Sequence, residues 1–229
     1  MLIQSVARIP KPASKLETAL LNARWSLAMK TKISFLAITV CLAVLTLPTS
    51  AQDKKATTSK AKKEPKLEAC KLGSTYNVHR LGKVYLAGQP SADDFAIAKK
   101  DGIKTVINLR TPGEMRFDEK GVLKGLGLEY HYLPFAAPDT LKDEIFEKSL
   151  KVLSDKKKQP VLLHCASANR VGAIWLAHRV LTDKVPYDKA LKEAKEVGLR
   201  FPPYEAKAKA YIAKARSKAK AAKDKKEEK

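Results

Sequence analysis

Pro160 is followed by Val161-Leu162-Leu163, then by His164-Cys165-Ala166-Ser167-Ala168-Asn169-Arg170, and an apolar stretch resumes at Val171. Three successive large apolar residues leave no face for water, so they suit a strand buried on both sides in a parallel sheet. Pro160 stops any helix entering from upstream. The spacing from Val171 to Leu181 predicts a helix directly after the loop. Other segments alternate in the same way. Val84-Tyr85-Leu86-Ala87 reads as a strand stopped by Gly88 and Pro90, and Ser91 with Asp94 makes a capping box for a helix that Gly102 ends. Thr105 to Leu109 reads as a buried strand, Glu119 to Lys124 as a short helix, and Glu129 to Leu133 as another strand. Asp139-Thr140 offers a cap for a helix reaching Asp155, and Tyr187 to about Glu196 follows Pro186 as a last helix. Strands alternating with helices imply right-handed crossovers. The expected fold is therefore a single α/β domain, a central mainly parallel sheet flanked by helices.

The ends of the 229-residue chain do not fit such a core, although they hold much of its net charge of +21. Met29-Lys30-Thr31-Lys32 precedes an apolar run from Ile33 to Leu47, too short for a usual membrane span, and Pro48 to Ala51 supplies small residues. Residues 1–51 are therefore expected to be a leader and signal peptide cleaved after Ala51, with Met29 as an alternative start. The mature protein would be periplasmic or secreted. An uncleaved anchor is the competing reading. Residues 52–69 read as a Lys-rich linker, 70–204 as the domain, and 205–229 as a solvated Lys/Ala-rich tail. Lysines among small residues, without interleaved aromatics, do not suggest a specific nucleic-acid site, but they suit nonspecific contact with an anionic surface. Cleavage would leave Cys70 and Cys165. Two cysteines so far apart make no disulfide framework, and whether they pair is open.

In a parallel sheet, ligands bind beyond the carboxyl ends of the strands, where the next helix begins. Residues 164–170 occupy that position. A short loop between strand and helix N-terminus turns successive amides inward, giving Ala166, Ser167, Ala168, Asn169 and Arg170 as candidate binders of an oxyanion such as phosphate. Cys165 beneath that ring, beside the Arg170 cation, is favoured as thiolate and so as a nucleophile. Arg170 can offer two parallel donors to phosphate oxygens. Taken alone, a Cys after Leu-Leu-His would simply be a small buried residue. His164 either steadies the loop or is a buried structural side chain. His131 and His178 fall on predicted elements and read as structural.

His-Cys followed closely by Arg at a strand-to-helix junction resembles the phosphate loop of the cysteine-based protein tyrosine and dual-specificity phosphatases. Residues 84–91, 105–110 and 164–175 give it the flavour of their bacterial beta-lactamase-hydrolase-like branch, over about residues 77–198. The resemblance implies a cysteine-phosphatase-like fold and hydrolysis of phosphomonoesters through a phosphocysteine. Its substrate would be a phosphorylated protein or a small phosphate ester. Cys165 would attack, Arg170 and the loop amides would hold the phosphate, and Asp139 would serve as acid and then base. Asp139 alternatively caps the following helix. Asp118 and Glu114 are weaker candidates for the acid, while Gln89, Arg110 and Glu114 are candidates for the pocket wall. The sequence departs from the usual pattern in having four residues rather than five between Cys165 and Arg170, Ala168 where relatives often have Gly, and Val171 in place of a hydroxyl residue. The short loop also resembles that of rhodaneses, so a sulfurtransferase carrying a persulfide on Cys165 remains an alternative, as does a non-catalytic phosphate-binding module. No His/Cys spacing suits a metal, no Gly-rich nucleotide loop is present, and the chemistry implied needs no cofactor.

Overall fold

The computed structural model describes residues 65–227; the expected leader, the cleavage site after Ala51 and most of the linker lie outside them. The strands are β1 (Glu68–Ala69), β2 (His79–Leu81), β3 (Val84–Ala87), β4 (Thr105–Asn108), β5 (Glu129–Tyr132) and β6 (Val161–His164). They form one sheet in the order β1-β2-β3-β6-β4-β5. β1, β2 and β3 are antiparallel neighbours, whereas β3, β6, β4 and β5 run parallel. The mainly parallel α/β sheet is thus as expected, with an antiparallel edge added. That edge corrects the linker boundary: Leu67 is buried and Glu68–Ala69 pair with β2, so the domain starts before Cys70. A two-residue strand carries too little pattern to be seen in sequence.

Among the described residues six α-helices alternate with or follow the strands: α1 (Ala92–Lys100), α2 (Glu119–Gly125), α3 (Asp143–Ser154), α4 (Asn169–Leu181), α5 (Tyr187–Val197) and α6 (Pro202–Glu227). β6 is central, and its residues divide between two cores. Leu162 packs with Phe95, Ala98 and Leu123 of α1 and α2, while Val161 and Leu163 face Ile174, Val152 and Ala194 of the other helices. Burying both faces of so short a strand explains its wholly apolar run, each such side chain contributing roughly 1.5–3 kcal/mol. α4 lies within the second core, packed against α3, α5 and α6. Gly172 permits that closeness, since a Cβ there would meet Leu199 Cβ at 2.7 Å and Ala194 O at 2.8 Å.

Two helical expectations need correction. The helix expected from Asp139-Thr140 begins only at Asp143, because Pro138–Thr140 form a separate 3-10 turn, Leu141 leaves the helical conformation and the N-cap Lys142 is extended. More consequentially, the solvated tail from Glu205 is α6. Tyr204, Ala208 and Ile212 are buried, Tyr211 stacks on Phe146 at 4.4 Å, and Lys214 pairs with Asp143 at 2.6 Å. These apolar residues recur at helical spacing, but lysines and alanines between them mask the stripe. From Arg216 to Lys226 every side chain is exposed.

Candidate active site

Cys165 follows β6 directly and is 1% exposed. Its N–H donates to Ala87 O at 3.3 Å, and Gln89 N–H donates to Ala166 O at 3.2 Å, so the start of the loop is held against the end of β3. Ala168 then turns the chain into α4 with φ 66° and ψ 2°, the left-handed conformation in which its Cβ is strained. The far side of the loop is held by the α5–α6 connection. Asn169 Oδ1 accepts from Arg200 N at 2.9 Å and Phe201 N at 3.3 Å, and Arg200 Nη2 donates to Ser167 O at 3.3 Å. Residues 166–170 therefore form a fixed turn at the N-terminus of α4, where a helix leaves its first amides without intrahelical acceptors.

Arg170 is 7% exposed and almost fully engaged. Its Nη1 and Nη2 meet Glu114 end-on, at 2.8 Å to Oε2 and 2.5 Å to Oε1. Nη1 also donates to the carbonyls of Leu109 at 3.1 Å and Phe135 at 2.7 Å. A planar guanidinium held on that end keeps Nε–H and the second Nη2–H for its other edge, and its side-chain hydrogen bond to Cys165 sets it beside the thiol, where an oxyanion bound to Cys165 would meet it. Burial works against its charge, but the Glu114 hydrogen bond and the charge of Cys165 outweigh it and raise the guanidinium above its usual range. For Glu114 the Arg170 bond, aided by Thr111, outweighs burial and lowers the carboxyl to about 2. Glu114 is therefore a partner of Arg170 rather than a proton donor at neutral pH.

His164 does not bond Cys165. Its Nε2 lies 3.0 Å from Glu119 Oε1, both side chains being fully buried, and Gln89 Nε2 donates to Glu119 Oε2 at 3.1 Å. Burial pushes the Glu119 carboxyl up, but His164, Gln89 and the Arg110 charge hold it below the usual carboxylate range. This buried network ties β6 and β3 to α2 behind the nucleophile. Glu119 gave no sign of this in sequence, since a Glu in a helix's first turn reads as favourable dipole placement.

A pocket of about 330 Å³ opens over the loop, lined by Thr111, Glu114, Ala136, Ser167, Asn169, Arg170 and Tyr204. Gln89 and Arg110 point elsewhere, Gln89 to Glu119 and Pro90 O, and the buried Arg110 towards the Glu119 side. Asp118 caps α2 through Gly121 N at 2.9 Å and stays off this pocket. Asp139 lies on the 3-10 turn just beyond Ala136, exposed, with its carboxylate neither capping α3 nor lining the pocket. Cys70 and Cys165 are both free thiols. Tyr204, which supplies one wall, fell at the end of the expected domain and was not among the sequence candidates.

No family model matches the chain. Among curated proteins, the beta-lactamase hydrolase-like protein of Agrobacterium fabrum is 24% identical over 108 residues, which is 45% of this chain and 25% of that protein. One of the same description from Xylella fastidiosa is 24% identical over 113 residues, covering 46% and 25%. The match thus spans about a quarter of the length of these relatives. Among solved structures, TpbA of P. aeruginosa superposes with a TM-score of 0.52 at 22% identity, covering 66% of this chain and 91% of TpbA. A second TpbA structure contains phosphotyrosine. The core catalytic domain of the S. cerevisiae PP-IP phosphatase SIW14, solved with citrate, superposes with a TM-score of 0.52 at 18% identity, covering 63% and 93%. The fold is that of the cysteine-based, protein tyrosine phosphatase-like phosphatases.

Proposed function

We propose that the chain hydrolyses phosphomonoesters through a phosphocysteine. The observation that carries this reading is the Arg170 guanidinium, clamped end-on by Glu114 and hydrogen-bonded beside Cys165 at the start of α4. The Cys165 thiolate attacks phosphorus while Arg170 and the loop amides take the phosphoryl oxygens. The ester P–O bond breaks, and Asp139 gives its proton to the departing oxygen. Asp139, now a carboxylate, then takes a proton from water as that water attacks phosphorus. The P–S bond breaks, releasing inorganic phosphate and restoring the thiolate and the acid. Phosphotyrosine in a TpbA structure supports a phosphorylated protein or a small phosphate ester as substrate. The purified chain should cleave an aryl phosphate in a vanadate-sensitive manner, and Cys165→Ser should remove that turnover without unfolding the domain. Absence of turnover in the unsubstituted chain would overturn the assignment.

The basic start, apolar run and small residues of positions 29–51 support a cleaved leader over residues 1–51 and export to the periplasm or beyond. The exposed, basic distal turns of α6 support nonspecific contact with an anionic surface.

A further inference from the structure

Tyr204 is 5% exposed, yet it belongs to the helix whose far end stands in water. Its ring meets Phe135 edge-on at 5.6 Å and Phe201 at 5.1 Å. Its hydroxyl donates a hydrogen bond to the carbonyl oxygen of Ala136. The preceding carbonyl, that of Phe135, is taken by Arg170 Nη1 at 2.7 Å. Two adjacent carbonyls at the start of the Asp139 loop are thus gripped from two sides, one by the phosphate-binding arginine and one by Tyr204. Beyond them Thr140 closes the loop on itself, its hydroxyl accepting from Ala136 N at 3.2 Å and Ala137 N at 3.1 Å and donating to Ala137 O at 2.7 Å. Asp139 rides on the closed turn and makes no hydrogen bond of its own among the described residues, so its position is set by what holds the turn.

We infer that Tyr204 is a positioning residue: its hydroxyl fixes the Phe135–Thr140 turn so that Asp139 reaches the leaving group over Arg170, making the first turn of α6 part of the catalytic unit. The inference rests on the phosphatase reading. Arg170's grip on Phe135 O alone leaves the turn a hinge at the next peptide, because a single hydrogen bond does not fix the rotation of the segment beyond it. The Tyr204 bond removes that freedom. A buried aromatic with its hydroxyl on a loop carbonyl could instead serve packing alone, and the two roles differ in what they do to leaving-group dependence.

Tyr204→Phe keeps both edge-to-face ring contacts and deletes one hydrogen bond, so the fold should survive, as a melting temperature will report. Turnover of an alkyl phosphate, whose alkoxide needs the acid's proton, should fall by about tenfold, the effect of an acid no longer held in line with the leaving oxygen. An aryl phosphate with a strongly acidic phenol should lose less than about threefold, and competitive inhibition by vanadate should be unchanged. Combined with Asp139→Asn, Tyr204→Phe should add almost nothing, since a loop without its acid has nothing left to aim. Equal losses on both substrates, no loss on either, or additive losses in the double variant would each overturn the inference. Failure of the phosphatase reading itself looks different: the unsubstituted chain would then have no turnover to lose.

Discussion

Glu114 and Arg170 face each other end-on, carboxylate to guanidinium, at 2.5 and 2.8 Å. They are 56 residues apart in sequence, one on the turn after β4 and the other in the first turn of α4. The contact decides which edge of the arginine is open. An arginine free to rotate would lose side-chain entropy on gripping phosphate, whereas this one has lost it in advance.

Glu114→Gln should therefore lower kcat/KM by about ten- to a hundredfold, and by similar factors for esters with good and poor leaving groups, because it acts through phosphate binding and not through the acid. The same contact sets a dependence of stability on pH. Its folded value of about 2 lies below the ordinary 4.5, so the pair stabilises the native state fully above pH 4.5 and loses that contribution as pH falls through 2. With screening at a carboxylate one-third exposed, about 1–2 kcal/mol is at stake. Thermal unfolding of the two proteins between pH 6 and 2 checks this: their melting temperatures should converge towards the acid end, and a constant gap would refute the linkage.

At Ala168 the left-handed backbone costs roughly 1–2 kcal/mol that glycine would not incur, against about 0.8 kcal/mol for the buried methyl group that glycine would lose. Ala168→Gly should thus raise the melting temperature by about 1–3 °C. Activity should be kept, since the loop conformation is unchanged. A lower melting temperature with full activity would show that the methyl's packing outweighs the strain.

Much of this was legible before any coordinates. β3, β4, β6 and the capping box at Ser91–Asp94 followed from apolar runs and turn residues, because both faces of those strands are buried and the cap is local. The loop from Cys165 to Arg170 was legible for the same reason, as all its parts are consecutive. What escaped depends on long-range approach. Glu114 reads as a candidate for the acid or the pocket wall and Glu119 as a helix-start acid, and only the fold reveals that one clamps Arg170 from the pocket's wall and the other is buried on His164. α6 escaped through its composition: alanine adds little to an apolar stripe, although Ala208 is fully buried.

The extent of that stripe predicts where the chain can be shortened. No described side chain beyond Ala215 is more than slightly buried, so removing residues 216–229 should leave the domain folded and the hydrolysis intact. It should weaken retention on anionic vesicles at low salt, an attraction that in the full chain fades as salt rises. Removing residues 203–229 instead takes Tyr204, Ala208 and Ile212 from the core and should destabilise the fold by several kcal/mol, on the order of 2–5 kcal/mol for Ile212 alone. Unchanged vesicle retention after the shorter deletion would dispose of the charge-tether reading.

The competing sulfurtransferase reading shares Cys165 and its ring of amides, so it must be separated at Asp139. A persulfide passes its outer sulfur to a nucleophilic acceptor, with the Cys165 thiolate as leaving group, a group that departs without a proton. A phosphate ester instead expels an alkoxide or phenoxide that is far more basic. Only the second needs an acid in flight. Asp139→Asn keeps the size of the side chain on the Pro138–Thr140 turn and removes the proton. It should slow alkyl phosphates by about a hundredfold or more and slow esters of acidic phenols less. Should thiosulfate-to-cyanide transfer exceed phosphate release and survive the substitution, with a sulfur adduct on Cys165 by mass spectrometry, the nucleophile would stand and the phosphatase assignment would fall. The clamp on Arg170 argues for the first outcome, since a guanidinium held beside Cys165 matches two oxygens of a phosphoryl group and has no second acceptor on a persulfide.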